Sequence, residues 1–450
     1  MPGCPEAVKA YKVAREGLSV SAKFVVSQVF TDGCAKLTSL GGSLPVPCVQ
    51  ELAKKTLTTV PPRYLRPEQD PPFLSDSSTT CSSIHAPVID FNRLVSGDSM
   101  DSELDKLHYA CKEWGFFQLT NHGVISTLVE KVKVEVQEFF NLPMEEKKKF
   151  WQQPEDLEGF GQAFVISEEQ KLDWADMFYM ITLPTYLRKP HLFPKLPISL
   201  RDSLEIYAVE LRNLAMTILG FIAKALKMEA NDMKELFEEG HQGMRMNYYP
   251  LCPQPDQVIG LTPHSDAVGL TILLQVNEME GLQIRKDGMW VPIKPLPGAF
   301  IVNIGDILEI VTNGAYRSIE HRATVNSIKE RLSVATFYSP KLNGDMGPAP
   351  SLVSPDSPSL FKRIGVADYF KGLLSRELHG KSYSKSSGLE LQKLKITEVP
   401  SNAEKHQCAI YIYIYIYICK QNKRPRSKLR WSSIVLRASS TVFQTSYHPQ

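Results

Sequence analysis

What this 450-residue chain lacks narrows its function first. It has no surplus of one charge sign, since Lys plus Arg number 51 against 49 Asp plus Glu, so it is not built as a polyelectrolyte and a nucleic-acid partner is not expected. Its eight cysteines form no Cys-x-x-Cys pair and no dense framework. That excludes a zinc-finger site and a disulfide scaffold, and indicates reduced thiols. The apolar stretch around Phe24 to Phe30 is short, late and interrupted by Ser27 and Gln28, unlike the core of a signal peptide. Elsewhere no run approaches the roughly 20 apolar residues a membrane-spanning helix needs. The expectation is a cytoplasmic monomer with no membrane partner.

Composition then divides the chain. Residues 1–40 lack clear periodicity, and residues 61–87 are rich in proline, serine and acid. We expect a disordered or aberrant extension over 1–40, an extended lead-in over 41–86, and compact structure from near Pro87. Leu104, Leu107, Cys111 and Trp114 recur at helical spacing between Asp101 and Trp114, with Gly115 behind them. Ile125, Leu128, Val132, Val136 and Phe139 predict a second helix, and Phe116 to Leu119 a strand between the two. A longer helix over about Leu200 to Met228 would turn Leu204, Leu211, Ala215, Ile218 and Leu226 inward.

After Gly240 the pattern changes to short β runs punctuated by glycine, proline and asparagine. These are Met244 to Tyr249, Leu270 to Gln275, Leu282 to Arg285, Trp290 to Ile293, Ala299 to Ile304, Ile319 to Val325 and Arg331 to Tyr338. The expected fold class is mixed α and β: a double-stranded β-helix, or jelly roll, with a helical N-terminal module. The module would cover 87–200, the long helix and its connection 201–239, the jelly roll 240–341 and a helical C-terminal cover 342–383.

Five residues in the β part carry chemistry. His264 and Asp266 are two apart, so in an extended segment both side chains leave one face and can share an ion. His321 follows His264 by 57 residues, a gap that a jelly roll closes by placing distant strands side by side. Two neutral imidazoles and one carboxylate form the ligand set that holds Fe(II) on one face and leaves other positions open. Arg331 and Ser333 share a face of the next strand, where a guanidinium fork suits a carboxylate. Arg245, Asn247 and Tyr249 have common parity on an earlier strand and are placed to present donors to the same acid.

These residues, with Asn247-Tyr248-Tyr249-Pro250 and Cys252-Pro253-Gln254-Pro255, resemble the plant 2-oxoglutarate/Fe(II)-dependent dioxygenases. Trp114-Gly115-Phe116-Phe117 and Asn121-His122-Gly123 resemble that family's N-terminal module. Gly41 to Pro47 and Val60 to Tyr64 are more closely similar to the senescence-related branch, which includes codeine and thebaine demethylases. The resemblance implies His264, Asp266 and His321 as iron ligands. It implies Arg331 and Ser333 as binders of the distal 2-oxoglutarate carboxylate, Asn247 and Tyr249 as helpers, and Phe337 at the substrate wall. It further implies O2 as cosubstrate, ascorbate as reductant, and oxidative decarboxylation to succinate and CO2. Coupled to it would be hydroxylation, desaturation or O-demethylation of a small plant metabolite. Two other readings stay open: a non-haem iron oxidase that omits 2-oxoglutarate, and a non-catalytic ligand-binding protein.

The remaining conspicuous residues receive structural readings. His122 and His241 are expected to be structural or exposed, and Trp114 with Phe116 and Phe117 to be core. Asp173 and Asp176 fit either a cavity rim or a solvated loop. Residues 384–450 depart from the family, with a Tyr-Ile alternation over Tyr411 to Ile418 and a basic run from Lys420 to Arg430. They are expected to be a disordered, low-complexity tail.

Overall fold

The computed structural model describes residues 43–374 apart from 56, 71–84 and 154–155. The expectations for 1–40 and 384–450, including the Tyr-Ile repeat and the basic run, lie outside the described residues.

The first strands in chain order are β1 (Val88–Asp90), β2 (Phe116–Thr120), β3 (Gly159–Gly161), β4 (Asp176–Leu183), β5 (His241–Tyr249) and β6 (Leu261–His264). Then come β7 (Leu270–Gln275), β8 (Leu282–Lys286), β9 (Met289–Pro292), β10 (Phe300–Ile304), β11 (His321–Ala323) and β12 (Arg331–Ser339). They form a larger sheet in the order β1-β2-β10-β7-β12-β5-β4-β3 and a smaller one in the order β6-β11-β8-β9. Apart from the parallel β1–β2 pair, the pairs in both sheets are antiparallel. This is the jelly-roll core.

Period-two alternation gives the larger sheet two different faces. On β12, Leu332, Val334 and Tyr338 join Met244 and Met246 of β5 in one apolar cluster with Leu204, Leu211 and Ile218 of the long helix. The opposite parity of both strands lines a cavity of about 210 Å³. Burial on both sides explains why β4, with the sequence DMFYMITL, is apolar nearly throughout and shows no alternation to read in advance.

The long helix runs Ile198–Ala225 and buries Leu200, Leu204, Tyr207, Leu211, Ala215, Ile218 and Ile222, a stripe at three- and four-residue spacing. By length and composition it passes as a membrane span, which corrects the reading that no such run exists. That buried stripe packs into the protein's own apolar cluster. The helix Ser126–Asn141 buries Val129, Val132, Val136, Phe139 and Phe140, whereas the expected Ile125 is its exposed N-cap. Helix Met100–Tyr109 ends in a π turn, Ala110–Trp114, and the left-handed Gly115 at φ 61° then turns the chain into β2. A Cβ there would lie 2.2 Å from the Arg317 carbonyl oxygen, so only glycine fits.

Compact structure begins well before Pro87, contrary to the composition-based boundary. Val49 and Tyr64 are buried in a cluster with Trp174 and Val258, and Val49–Ala53 is helical. Asp176, read as rim or loop, is the buried anchor of this lead-in. Its carboxylate accepts hydrogen bonds from Val49 N (2.9 Å), Gln50 N (2.7 Å) and Cys48 Sγ (3.2 Å). Asp173 is also engaged, accepting from Thr262 N at 3.1 Å and Arg66 Nη2 at 3.1 Å. Replacing Asp176 by Ala strands two buried backbone N–H groups. It is expected to lower unfolding stability by about 3 kcal/mol in urea denaturation, with an unchanged slope.

Candidate active site

Strand pairing assembles the site. His321 on β11 stands opposite His264 on β6, and Asp266 lies two residues beyond His264. The imidazole centroids are 4.3 Å apart. Asp266 Oδ1 is 3.4 Å from His264 Nε2 and 3.7 Å from His321 Nε2. All three side chains are buried, and among the described residues this is the group of His, Cys, Asp and Glu side chains placed to hold a metal ion.

The partners of these side chains set their protonation. His264 Nδ1 donates to the Thr262 carbonyl at 2.8 Å and His321 Nδ1 to the Ile319 carbonyl at 3.2 Å. A carbonyl only accepts, so Nδ1 is the donor in each ring and Nε2 is the nitrogen left to serve as a metal ligand in the neutral tautomer. Burial, then the neighbouring His264, pushes His321 down to about 4, which keeps it neutral at neutral pH. Burial alone would raise the Asp266 carboxyl, but its interaction with the protonated form of the flanking His321 and His264, and the Thr271 hydrogen bond, outweigh it and hold it well below the usual carboxylate range. Its Oδ2 accepts from Thr271 Oγ1 (2.6 Å) and Asn303 Nδ2 (2.7 Å), which leaves Oδ1 toward the imidazoles. Thr271 and Asn303 escaped the sequence reading. Their signal is a polar residue at inward parity in the otherwise apolar strands LTILLQ and FIVNI.

Arg331 and Ser333 open β12 directly opposite Tyr249 and Asn247 of β5. The buried Arg331 guanidinium lies 5.1 Å from the Tyr249 ring centroid and donates from Nη2 to Gln275 Oε1 at 2.8 Å. Asn247 Nδ2 donates to Ser333 Oγ at 3.3 Å. Arg331 has no ion-pair partner among the described residues, and its Nε and Asn247 Oδ1 are buried without hydrogen bonds. A buried guanidinium without a counter-ion is costly unless an anion completes it. The cavity therefore carries, on one set of walls, three side chains placed to hold a metal ion and a buried cation without a counter-ion among the described residues.

Phe337 lines the same cavity, with Tyr179 at a ring distance of 6.4 Å. Two of the residues read as structural also stand on the cavity wall. Phe116 is a cavity wall as well as core, 6.0 Å from the His321 ring, because it sits on β2 and packs with Leu282, Ile284 and Val291 of the smaller sheet. His241 is structural in that its Nδ1 donates to the Pro340 carbonyl at 2.9 Å, and it is not among the side chains placed to hold a metal ion. It is buried at the start of β5 and lines the cavity. His122 does serve structure, with Nε2 on the Gly298 carbonyl at 3.1 Å and its ring on Phe300.

Comparison with known proteins supplies the family. Residues 240–340 match the 2OG-Fe(II) oxygenase superfamily, and residues 86–196 match the non-haem dioxygenase in morphine synthesis N-terminal model. The chain is 59% identical over 352 residues to Protein SRG1 of Arabidopsis thaliana, covering 78% of this chain and 98% of that one. The chain belongs to the 2-oxoglutarate/Fe(II)-dependent dioxygenases. To oxoglutarate-dependent flavonoid 7-O-demethylase 1 of Ocimum basilicum it is 59% identical, covering 78% of this chain and 92% of the relative. To codeine O-demethylase of Papaver somniferum it is 55% identical, covering 77% and 97%. The solved structure of JOX2 with 2OG, Fe and JA superimposes with a TM-score of 0.70 at 35% identity, covering 78% of this chain and 99% of that one. This dioxygenase is thus an oxidoreductase that uses iron and 2-oxoglutarate on a small organic plant metabolite.

One glycine shapes the wall of the dioxygenase cavity beside Phe337. A Cβ on Gly243 would lie 2.4 Å from the Tyr179 hydroxyl and 2.8 Å from its ring, so the tyrosine lies across the bare backbone. Gly243→Ala is expected to cost about 1–3 kcal/mol of stability by overpacking. In a Tyr179→Ala background the same change should cost less than about 0.5 kcal/mol, a coupling that a double-mutant cycle in urea would measure.

Proposed function

We propose that His264 Nε2, Asp266 Oδ1 and His321 Nε2 hold Fe(II), and that 2-oxoglutarate lies between this group and Arg331. Ser333, Asn247 and Tyr249 assist at the acid end, and Phe337 forms part of the substrate wall. The observation that carries the reading is the buried, unpaired Arg331 in the same cavity as three converging ligand atoms. When bound, the iron with O2 supplies oxidation coupled to loss of CO2 from 2-oxoglutarate, and ascorbate keeps the metal reduced. The protein's part is to fix tautomers through Thr262 and Ile319, to keep Asp266 ionised, and to orient the acid on the Arg331 fork.

The outcome we infer is O-demethylation of a methoxylated, ring-bearing metabolite. Its support is the 59% and 55% identity to two O-demethylases, together with a cavity whose substrate side is walled by Phe337, Phe164, Leu342 and Phe370. In that reaction one oxygen atom of O2 enters succinate and the other enters the methyl C–H bond. The resulting hemiacetal releases formaldehyde and leaves the ring hydroxyl. A cytoplasmic, small-molecule enzyme also fits the balanced charge and the free Cys48, Cys111 and Cys252.

An oxidase that omits 2-oxoglutarate predicts product without succinate, so the test is stoichiometry. Protein loaded anaerobically with Fe(II) and 2-oxoglutarate, then given O2 and methoxylated flavonoids or alkaloids, should release succinate and formaldehyde in equal amounts. His264→Ala should abolish both, whereas product formation without succinate would favour the oxidase. Asn303→Leu, which removes a donor from Asp266, should weaken Fe(II) affinity by about 10- to 100-fold in a competitive chelator titration.

A further inference from the structure

We propose that His241 is a substrate-recognition residue, whose Nε2 accepts a hydrogen bond from an O–H on the substrate ring remote from the carbon that is oxidised. This deepens the dioxygenase reading above and rests on it. The substrate class it implies is an elongated phenol of two or three linked rings, bearing one oxygen function at each end.

The ring's hydrogen bonding assigns the role. His241 Nδ1 donates to the Pro340 carbonyl at 2.9 Å, which fixes the proton on that nitrogen. The Phe370 ring packs at 5.6 Å with an interplanar angle of 67°. Nε2 is the one polar atom of the side chain left, and it has no hydrogen-bond partner among the described residues. Burial pushes the imidazole down to about 4, so at neutral pH it stays an acceptor.

Other groups on this wall do not replace it. Glu158 accepts from the Ile181 N–H at 2.7 Å through Oε2, and its other oxygen, Oε1, makes no hydrogen bond but is ion-paired with Lys189 at 3.4 Å. Asp156 also pairs with Lys189, and Arg245 offers only donors. The Tyr179 hydroxyl, over Gly243 and two residues along β5, has no hydrogen-bond partner among the described residues. Burial raises its pKa, so it remains a donor that can serve the same substrate oxygen.

Register gives the length of the substrate. Thr271, which holds Asp266, pairs with Phe337, and Phe337 pairs with Gly243. Two strand spacings of about 4.8 Å and two residues of about 3.4 Å place His241 roughly 12 Å from Thr271. The walls between are apolar, formed by Phe337, Leu342, Phe370 and Leu373. Flat rings fill that space, with polar ends at the metal side and at His241.

The test uses two probes: a methoxyflavone with one hydroxyl on the ring remote from the methoxy group, and the same methoxyflavone without it. Binding to the full-length protein, loaded anaerobically with Fe(II) and 2-oxoglutarate, is followed by intrinsic fluorescence. Turnover is followed separately. The wild type should prefer the hydroxylated probe by roughly tenfold. His241→Asn, whose amide can keep the Pro340 bond, should erase the preference while leaving affinity for the other probe unchanged. His241→Gln, with an acceptor further out, should restore part of it. For the hydroxylated probe KM should rise in His241→Asn with kcat unchanged, which a purely structural role would not produce. No preference in the wild type, binding of neither probe, or equal weakening of both probes in His241→Asn would overturn the proposal. A His241-dependent preference without succinate release would keep it and instead remove the oxygenase reading.

Discussion

Nine antiparallel pairs between β5 and β12, from Arg331 with Tyr249 to Ser339 with His241, are the constraint on which the rest depends. They set one parity of both strands toward the cavity and the other toward the long helix. A slip of β12 by one residue would bury Arg331 and Ser333 in the apolar cluster and turn Leu332 and Val334 into the cavity. The apolar parity resists that slip, because Leu332, Val334, Met244 and Met246 are fully buried, and each such side chain is worth roughly 1.5–3 kcal/mol. The stability of the outer face thereby fixes the chemistry of the inner one.

The inner face carries charge that the fold must tolerate. Asp266 is buried beside two imidazoles and is made acceptable by Thr271 and Asn303, which satisfy the oxygen turned away from them. Arg331 has Gln275 and Tyr249 beside it but no carboxylate among the described residues. A buried cation left this open is a site prepared for an anion, and its stabilisation is deferred to binding. Along the same wall the groups change from acid-binding at Arg331 to hydrogen-bonding at Tyr179 and His241. In the proposed reading one strand pair would thus order cosubstrate and substrate.

The β part of this arrangement was legible in the sequence because short strands alternate and turn residues bound them. The His-x-Asp spacing and the common parity of Arg331 with Ser333 followed from the same period. Where both faces are buried the period vanishes, so β4 went unread and Asp176 fitted either a cavity rim or a solvated loop. The lead-in was misjudged for a different reason: Val49 and Tyr64 are held by Asp176 and Trp174, more than a hundred residues away, and no local pattern announces such contacts. His241 is similar, since its meaning depends on the carbonyl of Pro340. The long helix was placed correctly, but its hydropathy also satisfies a membrane test, and only its packing separates the two.

The central claim is that one cavity holds iron at His264, Asp266 and His321 and an oxo-acid at Arg331. A crystal structure of the full chain with Fe(II) and 2-oxoglutarate, grown without oxygen, tests it most directly. The account predicts one iron bound by His264 Nε2, Asp266 Oδ1 and His321 Nε2, and a single 2-oxoglutarate whose distal carboxylate forms two hydrogen bonds to Arg331. Iron bound elsewhere, or the acid bound away from Arg331, would contradict it.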